Sequence, residues 1–171
     1  MRLRQPDRRS CGAASLVVAR RLADPRYAAL VGDQATFAHE AATLHRRLTS
    51  TTGADGRRQV PWLRAVGTPP WAVARDLHVV TGMAYAVHAV RLGRHVWPHL
   101  AAAAPERPVA VYVGSRLLPR HVVLVTAVDG DDATTYEPSS GRLHHVARAR
   151  WESGPLRLAG WDLPWCVISP R

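Results

Sequence analysis

The strongest signal for the architecture of this chain is Ser10-Cys11-Gly12-Ala13-Ala14-Ser15-Leu16, which sets a thiol at the start of an apolar segment. The next proline is Pro25, and the apolar pattern predicts a helix from about Cys11 to Leu22. A helix N-terminus carries partial positive charge and free backbone N–H groups, which favour a thiolate and supply donors for an oxyanion. Cys11 is therefore a candidate nucleophile, although a cysteine among small residues is often only a packing residue.

Three further residues have the types and spacing that a thiol nucleophile requires. Gln5 lies six positions before Cys11 and can donate its amide to an oxyanion, although it could be only a polar residue of a basic tail. His121 opens the longest apolar strand of the chain, whose rigid backbone suits a general base. Glu137 ends the following strand, across a turn at Asp129-Gly130, where its carboxylate can hold the second ring nitrogen or simply close a strand.

The first part of the chain is predicted to be helical. Asp33 can cap a second helix with an apolar stripe, and Thr68 can cap a third helix that runs from the prolines after it toward Leu77. A shorter helix is predicted from Trp97 to Ala104. The stripe of the second helix consists of Phe37, Ala41, Leu44 and Leu48.

From Pro108 the pattern changes to alternating and β-branched residues. It predicts strands at about 109–114, 122–128, 134–136, 143–146 and 165–168, separated by turn residues. The expected architecture is one α+β domain over residues 1–171, helical over about 1–107 and an antiparallel sheet over about 108–171.

The net charge of +10 comes entirely from arginine, since the chain has no lysine. The arginines form scattered pairs rather than a block, which argues against a dedicated nucleic-acid surface. A field of this size still attracts anionic partners, so an acidic peptide remains a possible ligand.

Two cysteines exclude a disulfide-rich scaffold and a four-cysteine zinc site. Cys166 lies in an apolar strand and is interpreted as structural, although a Cys11–Cys166 disulfide stays open at this stage. A reducing compartment is the simpler interpretation, and the apolar stretch after Cys11 is much shorter than the about 20 residues of a membrane span. We expect a cytoplasmic protein without a membrane span.

The other histidines and the tryptophans carry weaker signals. His39 and His45 fall on different faces of a helix, and the His95 and His99 pair lacks a third ligand, so neither pattern predicts a metal site. His144 and His145 are distant alternatives to His121 as a base. Two tryptophans, Trp71 and Trp161, are candidates for the lining of a substrate groove.

Two stretches, Gln5 to Leu22 and Arg120 to Gly141, resemble the papain-like bacterial cysteine peptidases of the bacteriocin-processing, double-glycine leader peptidase type, including their stand-alone relatives. Together they cover about a quarter of the chain. The resemblance implies a papain-like fold, in which a nucleophile helix packs against an antiparallel sheet that carries histidine and acid. It also implies the roles of nucleophile for Cys11, base for His121, orienting acid for Glu137 and oxyanion donor for Gln5. The family usually has aspartate where this chain has Glu137.

The sequence thus favours a thiol peptidase that acts on a peptide or protein without a metal or organic cofactor. A cysteine acyltransferase or amidase would use the same residues. An alternative of a different class is a catalytically silent relative that binds an acidic peptide or partner in an arginine-rimmed cleft. Nucleic-acid binding is a third possibility that rests on charge alone.

Overall fold

A computed structural model describes residues 2–90 and 95–171 of the chain. Its helices, none of which is long and apolar enough to cross a membrane within these residues, are α1 (Cys11–Ala23), α2 (Pro25–Leu30), α3 (Gln34–Leu48), α4 (Pro70–Thr81), α5 (Trp97–Leu100) and α6 (Arg148–Glu152). A short 3₁₀ helix covers Arg64–Val66. The strands are β1 (Tyr85–Ala89), β2 (Val109–Gly114), β3 (Pro119–Asp129), β4 (Asp132–Glu137), β5 (Arg142–Ala147) and β6 (Leu163–Pro170).

The strands form one sheet in the order β1-β6-β2-β3-β4-β5, and every neighbouring pair is antiparallel. β2 lies in the interior of this order and is buried along its whole length. Its alternate residues therefore point into two different cores, as expected for a strand covered on both faces. Ala110 and Tyr112 face a core shared with α1, α3 and α4, whereas Val111 and Val113 face a second core that contains Trp151. The predicted α+β class is confirmed.

The helix α1 starts at Cys11 and ends at Ala23, so the prediction of a helix from Cys11 to Leu22 is confirmed. Most of its first three turns are buried, because it contacts α3 and α4 as well as β3 of the sheet. Small residues on several sides let a helix be enclosed in this way. The first turn of α1 is thereby fixed against the strand that carries His121.

The helix α3 also confirms its sequence signals. Asp33 precedes it, and its carboxylate oxygen Oδ1 accepts hydrogen bonds from the backbone N–H groups of Ala35 at 2.7 Å and Thr36 at 3.0 Å. These bonds satisfy first-turn donors that have no partner within a helix. The whole predicted stripe is buried, namely Phe37, Ala41, Leu44 and Leu48.

The predicted cap of α4 is wrong. The residue before the helix is Pro69, whose backbone is extended, and Pro70 occupies the first turn. Thr68 therefore lies one position too early to cap the helix. Its backbone carbonyl instead accepts a hydrogen bond from the Tyr112 hydroxyl at 2.6 Å, which ties the start of α4 to the sheet.

Several short elements differ from the sequence-based expectations. The strand β1 lies within the region predicted to be helical, and α6 lies within the region predicted to be sheet. β1 is an edge strand whose residues are apolar except for His88, and the periodicity of so short an apolar run does not distinguish a strand from a helix. The helix α5 ends at Leu100 instead of Ala104. The chain turns there, where the backbone N–H of Ala103 donates to the carbonyl of Leu100 at 2.8 Å.

A buried carboxylate joins three of the helices. Asp76 of α4 has a fully buried side chain, and its Oδ1 lies 2.5 Å from a guanidinium nitrogen of Arg20 in α1 and 3.1 Å from one of Arg47 in α3. The arginine side chains are 22% and 44% exposed, so both charges reach solvent. A buried charge is tolerated only when it is paired in this way.

Replacement of Asp76 by alanine should destabilise the fold by about 2 kcal/mol or more, because it leaves two arginines without the acceptor that joins their helices. Asp131→Ala is the matched control, since Asp131 is 78% exposed and lies 3.5 Å from Arg148. Loss of that exposed pair should cost about 0.5 kcal/mol or less. Urea unfolding of both variants checks the difference, and equal losses would contradict a structural role for Asp76.

Candidate active site

The paired strands β3 and β4 bring His121 and Glu137 into contact. The ring nitrogen Nε2 of His121 lies 2.8 Å from Oε1 of Glu137, and the two side chains are only 6% and 3% exposed. The longer side chain of glutamate therefore reaches the imidazole. In this arrangement the carboxylate fixes the ring orientation and favours the protonated imidazolium.

Glu137 is held by the turn that follows it. Its Oε1 accepts a hydrogen bond from the backbone N–H of Ser139 at 2.6 Å, while Oε2 accepts from the Ser139 hydroxyl at 2.8 Å and the backbone N–H of Ser140 at 2.9 Å. Burial raises the pKa of this carboxyl, but the hydrogen bonds from His121, Ser140 and Ser139 outweigh it and keep the pKa well below its usual range. The carboxylate is thus ionised at neutral pH.

Ser139 and Ser140 lie between β4 and β5, where the sequence pattern predicts only turn residues. Their hydrogen bonds to Glu137 give them a second role as the residues that orient the acid. Hydrogen bonds to backbone N–H groups two and three residues later are typical of aspartate, asparagine, serine and threonine, so no sequence signal pointed to this role beside a glutamate.

Cys11 meets this pair from the opposite side. It is buried at the first position of α1, and its thiol lies close enough to the His121 ring to raise the pKa of that ring. Because Nε2 of that ring is engaged by Glu137, Nδ1 is the nitrogen left to face the thiol. Burial lowers the pKa of His121, but hydrogen bonds to Cys11 and Glu137 more than offset burial and raise the pKa to about 9.

The first turn of α1 has donors that Ser10 does not cap. The Ser10 hydroxyl points back to the backbone carbonyl of Asp7, 3.3 Å away, instead of forward into the helix. Asp7 in turn accepts from the backbone N–H groups of Arg9 at 2.8 Å and Ser10 at 3.0 Å, which fixes the loop before the helix. The backbone N–H groups at the start of α1 are therefore left without a side-chain cap from Ser10.

Gln5 is connected to both sides of this site. Its backbone N–H donates to the carbonyl of Pro138 at 2.9 Å, directly after Glu137, and its side-chain amide donates to the carbonyl of Asp7 at 2.6 Å. The Tyr136 hydroxyl also donates to the carbonyl of Leu3 at 2.7 Å. The N-terminal segment is thus bound to the strand of the acid. One amide hydrogen of Gln5 remains for another acceptor.

Gly12 allows the close approach of the segment that precedes α4. A Cβ atom at Gly12 would lie 2.8 Å from Cβ and 2.9 Å from Oγ1 of Thr68, which is too close for any real side chain. Thr68 is held in turn by the buried hydroxyl of Tyr112. Burial raises the pKa of Tyr112 well above its ordinary value, and the nearby thiols of Cys166 and Cys11 act in the same direction.

The remaining sequence candidates lie elsewhere. Cys166 and Cys11 are both free thiols, and burial raises the pKa of Cys166 to about 12. Trp71 makes an edge-to-face contact with Trp62, with ring centroids 5.2 Å apart. The Nδ1 atom of His145 lies 3.4 Å from the hydroxyl of Thr134 on the outer pair of strands.

Among residues 2–90 and 95–171, no group of three or more His, Cys, Asp or Glu could hold a metal ion.

No protein-family model matches this chain, and no curated protein matches it. Solved structures do match it over almost its whole length. A protein from Bacillus anthracis, classed by inference as a C39-like peptidase, has 11% identity and a TM-score of 0.51, with 100% of this chain and 94% of that chain covered. This likeness confirms the predicted fold.

Two further structures are similar over the same extent. They are peptidase domains of ComA from Streptococcus and from Streptococcus mutans, with 15% and 13% identity and TM-scores of 0.46 and 0.43. Each match covers 99% of this chain and 98% of the other. ComA of Streptococcus is a bi-functional ABC transporter involved in a quorum-sensing pathway.

The pKa of His121 predicts a loss of stability at alkaline pH. Folding raises this pKa from 6.5 to about 9, so the contribution is complete below pH 6.5 and disappears as the pH rises through about 9. The contribution of Glu137, whose pKa is lowered on folding, is lost only as the pH falls below about 4.5. Wild-type protein should therefore lose about 3 kcal/mol more stability between pH 6 and pH 9.5 than His121→Ala does.

Urea unfolding at the two pH values measures this difference. His121→Ala is the reference for the wild type, because it lacks the imidazole and retains all other titrating groups. If wild type and His121→Ala lose the same stability over this range, the imidazole is not held as a cation in the folded protein.

Proposed function

We propose that this chain is a thiol peptidase in which Cys11 is the nucleophile, His121 the acid and base, and Glu137 the orienting carboxylate. The observation that carries the proposal is the buried chain of contacts from the Cys11 thiol through the imidazole to Glu137, at the first residue of a helix. A packing cysteine would not require a buried histidine that is itself held by a buried carboxylate.

The reaction follows from the positions of these groups. The Cys11 sulfur attacks a peptide carbonyl, and the charge that develops on the carbonyl oxygen is stabilised by the Cys11 backbone N–H and the Gln5 amide. The His121 imidazolium donates a proton to the leaving amine, which departs and leaves an acyl thioester on Cys11. His121 then removes a proton from water, and the attack of that water on the thioester releases the acid and restores the thiol.

The net result is hydrolysis of a peptide bond, and the proposed substrate class is a peptide or protein. Another amine in place of water would give acyl transfer through the same intermediate. No metal or organic cofactor takes part in this scheme. The nucleophile must remain a thiol, so we also propose that the protein works in a reducing compartment such as the cytoplasm.

The proposal predicts that Cys11 is far more reactive than the second thiol. Cys166 has a pKa raised to about 12 by burial, so it serves as an internal control within the same protein. At pH 7, iodoacetamide should alkylate Cys11 about tenfold faster or more than Cys166, because the thiolate is the reacting species. Peptide mass spectrometry measures the two rates separately.

Two variants test the cause of this reactivity. His121→Ala removes the imidazolium and should slow alkylation of Cys11 at pH 7 about tenfold or more, with little change at Cys166. Glu137→Gln keeps the shape of the acid but removes its charge, and should give a smaller decrease. A Cys11 that reacts no faster than Cys166, or that is unaffected by His121→Ala, would favour a catalytically silent protein that only binds its partner.

A further inference from the structure

A cavity of about 460 Å³ lies at the end of the sheet where His121 is located. It is separate from the contacts among Cys11, His121 and Glu137, and its size falls in the range of small-ligand sites. Three segments line it, namely the turn after β2, the residues after α6 and the start of β6. The lining residues that matter here are Gly114, Arg116, Gly154, Trp161, Asp162 and Leu163.

The strand register connects this cavity to the candidate base. Val113 of β2 pairs with His121 of β3, and the next residue, Gly114, pairs with Pro119. On its other side Gly114 pairs with Leu163 of β6. Two residues of an extended strand span about 7 Å, so the wall formed by Gly114 and Leu163 begins about that far from His121.

The turn after β2 is a fixed wall of this cavity. A Cβ atom at Gly114 would clash with the backbone of Leu118 and Pro119, so this position requires glycine. The indole Nε1 of Trp165 donates to the carbonyl of Ser115 at 2.8 Å, which ties the turn to β6. The cavity is therefore built from strand ends and an anchored turn.

The opposite wall is a strained turn. Arg157 and Ala159 have φ of 55° and 51°, and Gly160 has φ of 81°. Left-handed backbone at a residue other than glycine is unfavourable, and it persists where the surroundings impose it. This turn presents Trp161 and Asp162 to the cavity.

We propose that this cavity binds the leaving-group side of the peptide substrate and selects an uncharged residue with a broad apolar surface. The inference rests on the proposed peptidase function. In that reaction His121 protonates the leaving amine, so the departing segment lies on the side of β3 rather than of α1. An extended chain then needs about two residues to reach the wall at Gly114.

The chemistry of the lining supports an uncharged side chain. Arg116 and Asp162 are both exposed at the cavity and supply one charge of each sign. The attraction of a charged substrate side chain to one of them is therefore offset by repulsion from the other. The half-buried ring of Trp161 offers an apolar surface on which an aromatic or large aliphatic side chain can stack.

Aminolysis of an acyl-enzyme tests the inference, because an amine that attacks the Cys11 thioester retraces the path of a leaving amine. Cys11 is acylated with the p-nitrophenyl ester of N-acetylglycine, which forms the thioester and releases p-nitrophenolate. The dipeptide amides Gly-Phe, Gly-Asp and Gly-Arg then compete with water for the acyl group, forming an amide bond and restoring the thiol. The second residue of each amide is the one whose side chain reaches the cavity.

The expected result is saturable aminolysis by the Gly-Phe amide, with a ratio of amide product to hydrolysis about tenfold higher than for the two charged dipeptides. Trp161→Ala should bring the Gly-Phe ratio to the level of the charged dipeptides, whereas Trp161→Phe should retain most of it. The ratio is taken from the products of one acyl-enzyme, so it does not depend on how fast each variant releases p-nitrophenolate.

Two further variants keep the test decisive if Trp161→Ala fails to fold. Arg116→Ala removes an exposed side chain and leaves Asp162 as the charge at the cavity. It should therefore raise the ratio of amide product to hydrolysis less for the Gly-Asp amide than for the Gly-Arg amide. Leu30→Ala, at an exposed residue of a different cavity between α2 and α3, should change none of the ratios.

The outcomes separate the two levels of the proposal. Acylation of Cys11 followed by aminolysis that is equal for the three amides and unaffected by Trp161→Ala, or by Arg116→Ala if the first variant does not fold, would overturn the cavity assignment and leave the peptidase function intact. Failure of Cys11 to release p-nitrophenolate would overturn the proposed function and, with it, this inference.

Discussion

The rest of the structure depends on the contacts of one imidazole. The ring of His121 lies between the thiol of Cys11 and the carboxylate of Glu137. Glu137 is only 2% exposed, and a carboxylate in such surroundings is tolerated because donors surround it. Those donors come from His121 of the neighbouring strand β3 and from the turn that follows Glu137. The position of the acid therefore requires the β3–β4 hairpin and the turn after it to form together.

Close approach of α1 to the sheet is the second requirement. Cys11 reaches the imidazole only because the first turn of α1 is built of small residues and because Gly12 leaves room for Thr68. The carbonyl of Thr68 is itself fixed by the hydroxyl of Tyr112. The thiol is thus positioned by packing on one side and by hydrogen bonding on the other, which limits its motion relative to the ring.

The acids of this arginine-rich chain have a disproportionate structural role. Asp76 joins α1, α3 and α4 through two arginines, and Glu137 organises the candidate catalytic residues. Most of the positive charge is left at the surface, where it is screened by solvent and adds little to stability. The net charge therefore affects which ligands approach the protein, whereas the few buried acids determine how its helices and strands meet.

The sequence by itself determined the helix at Cys11, the capped helix after Asp33, the strands from Val109 onward and the residues proposed for catalysis, because each is encoded by local periodicity, capping or spacing. It missed β1, because the periodicity of so short an apolar run does not distinguish a strand from a helix, and it misassigned the cap of α4. Only the tertiary structure decided that Glu137 reaches His121 and that Asp76 joins three helices. These contacts depend on how elements distant in sequence pack together, and local sequence patterns do not specify that geometry.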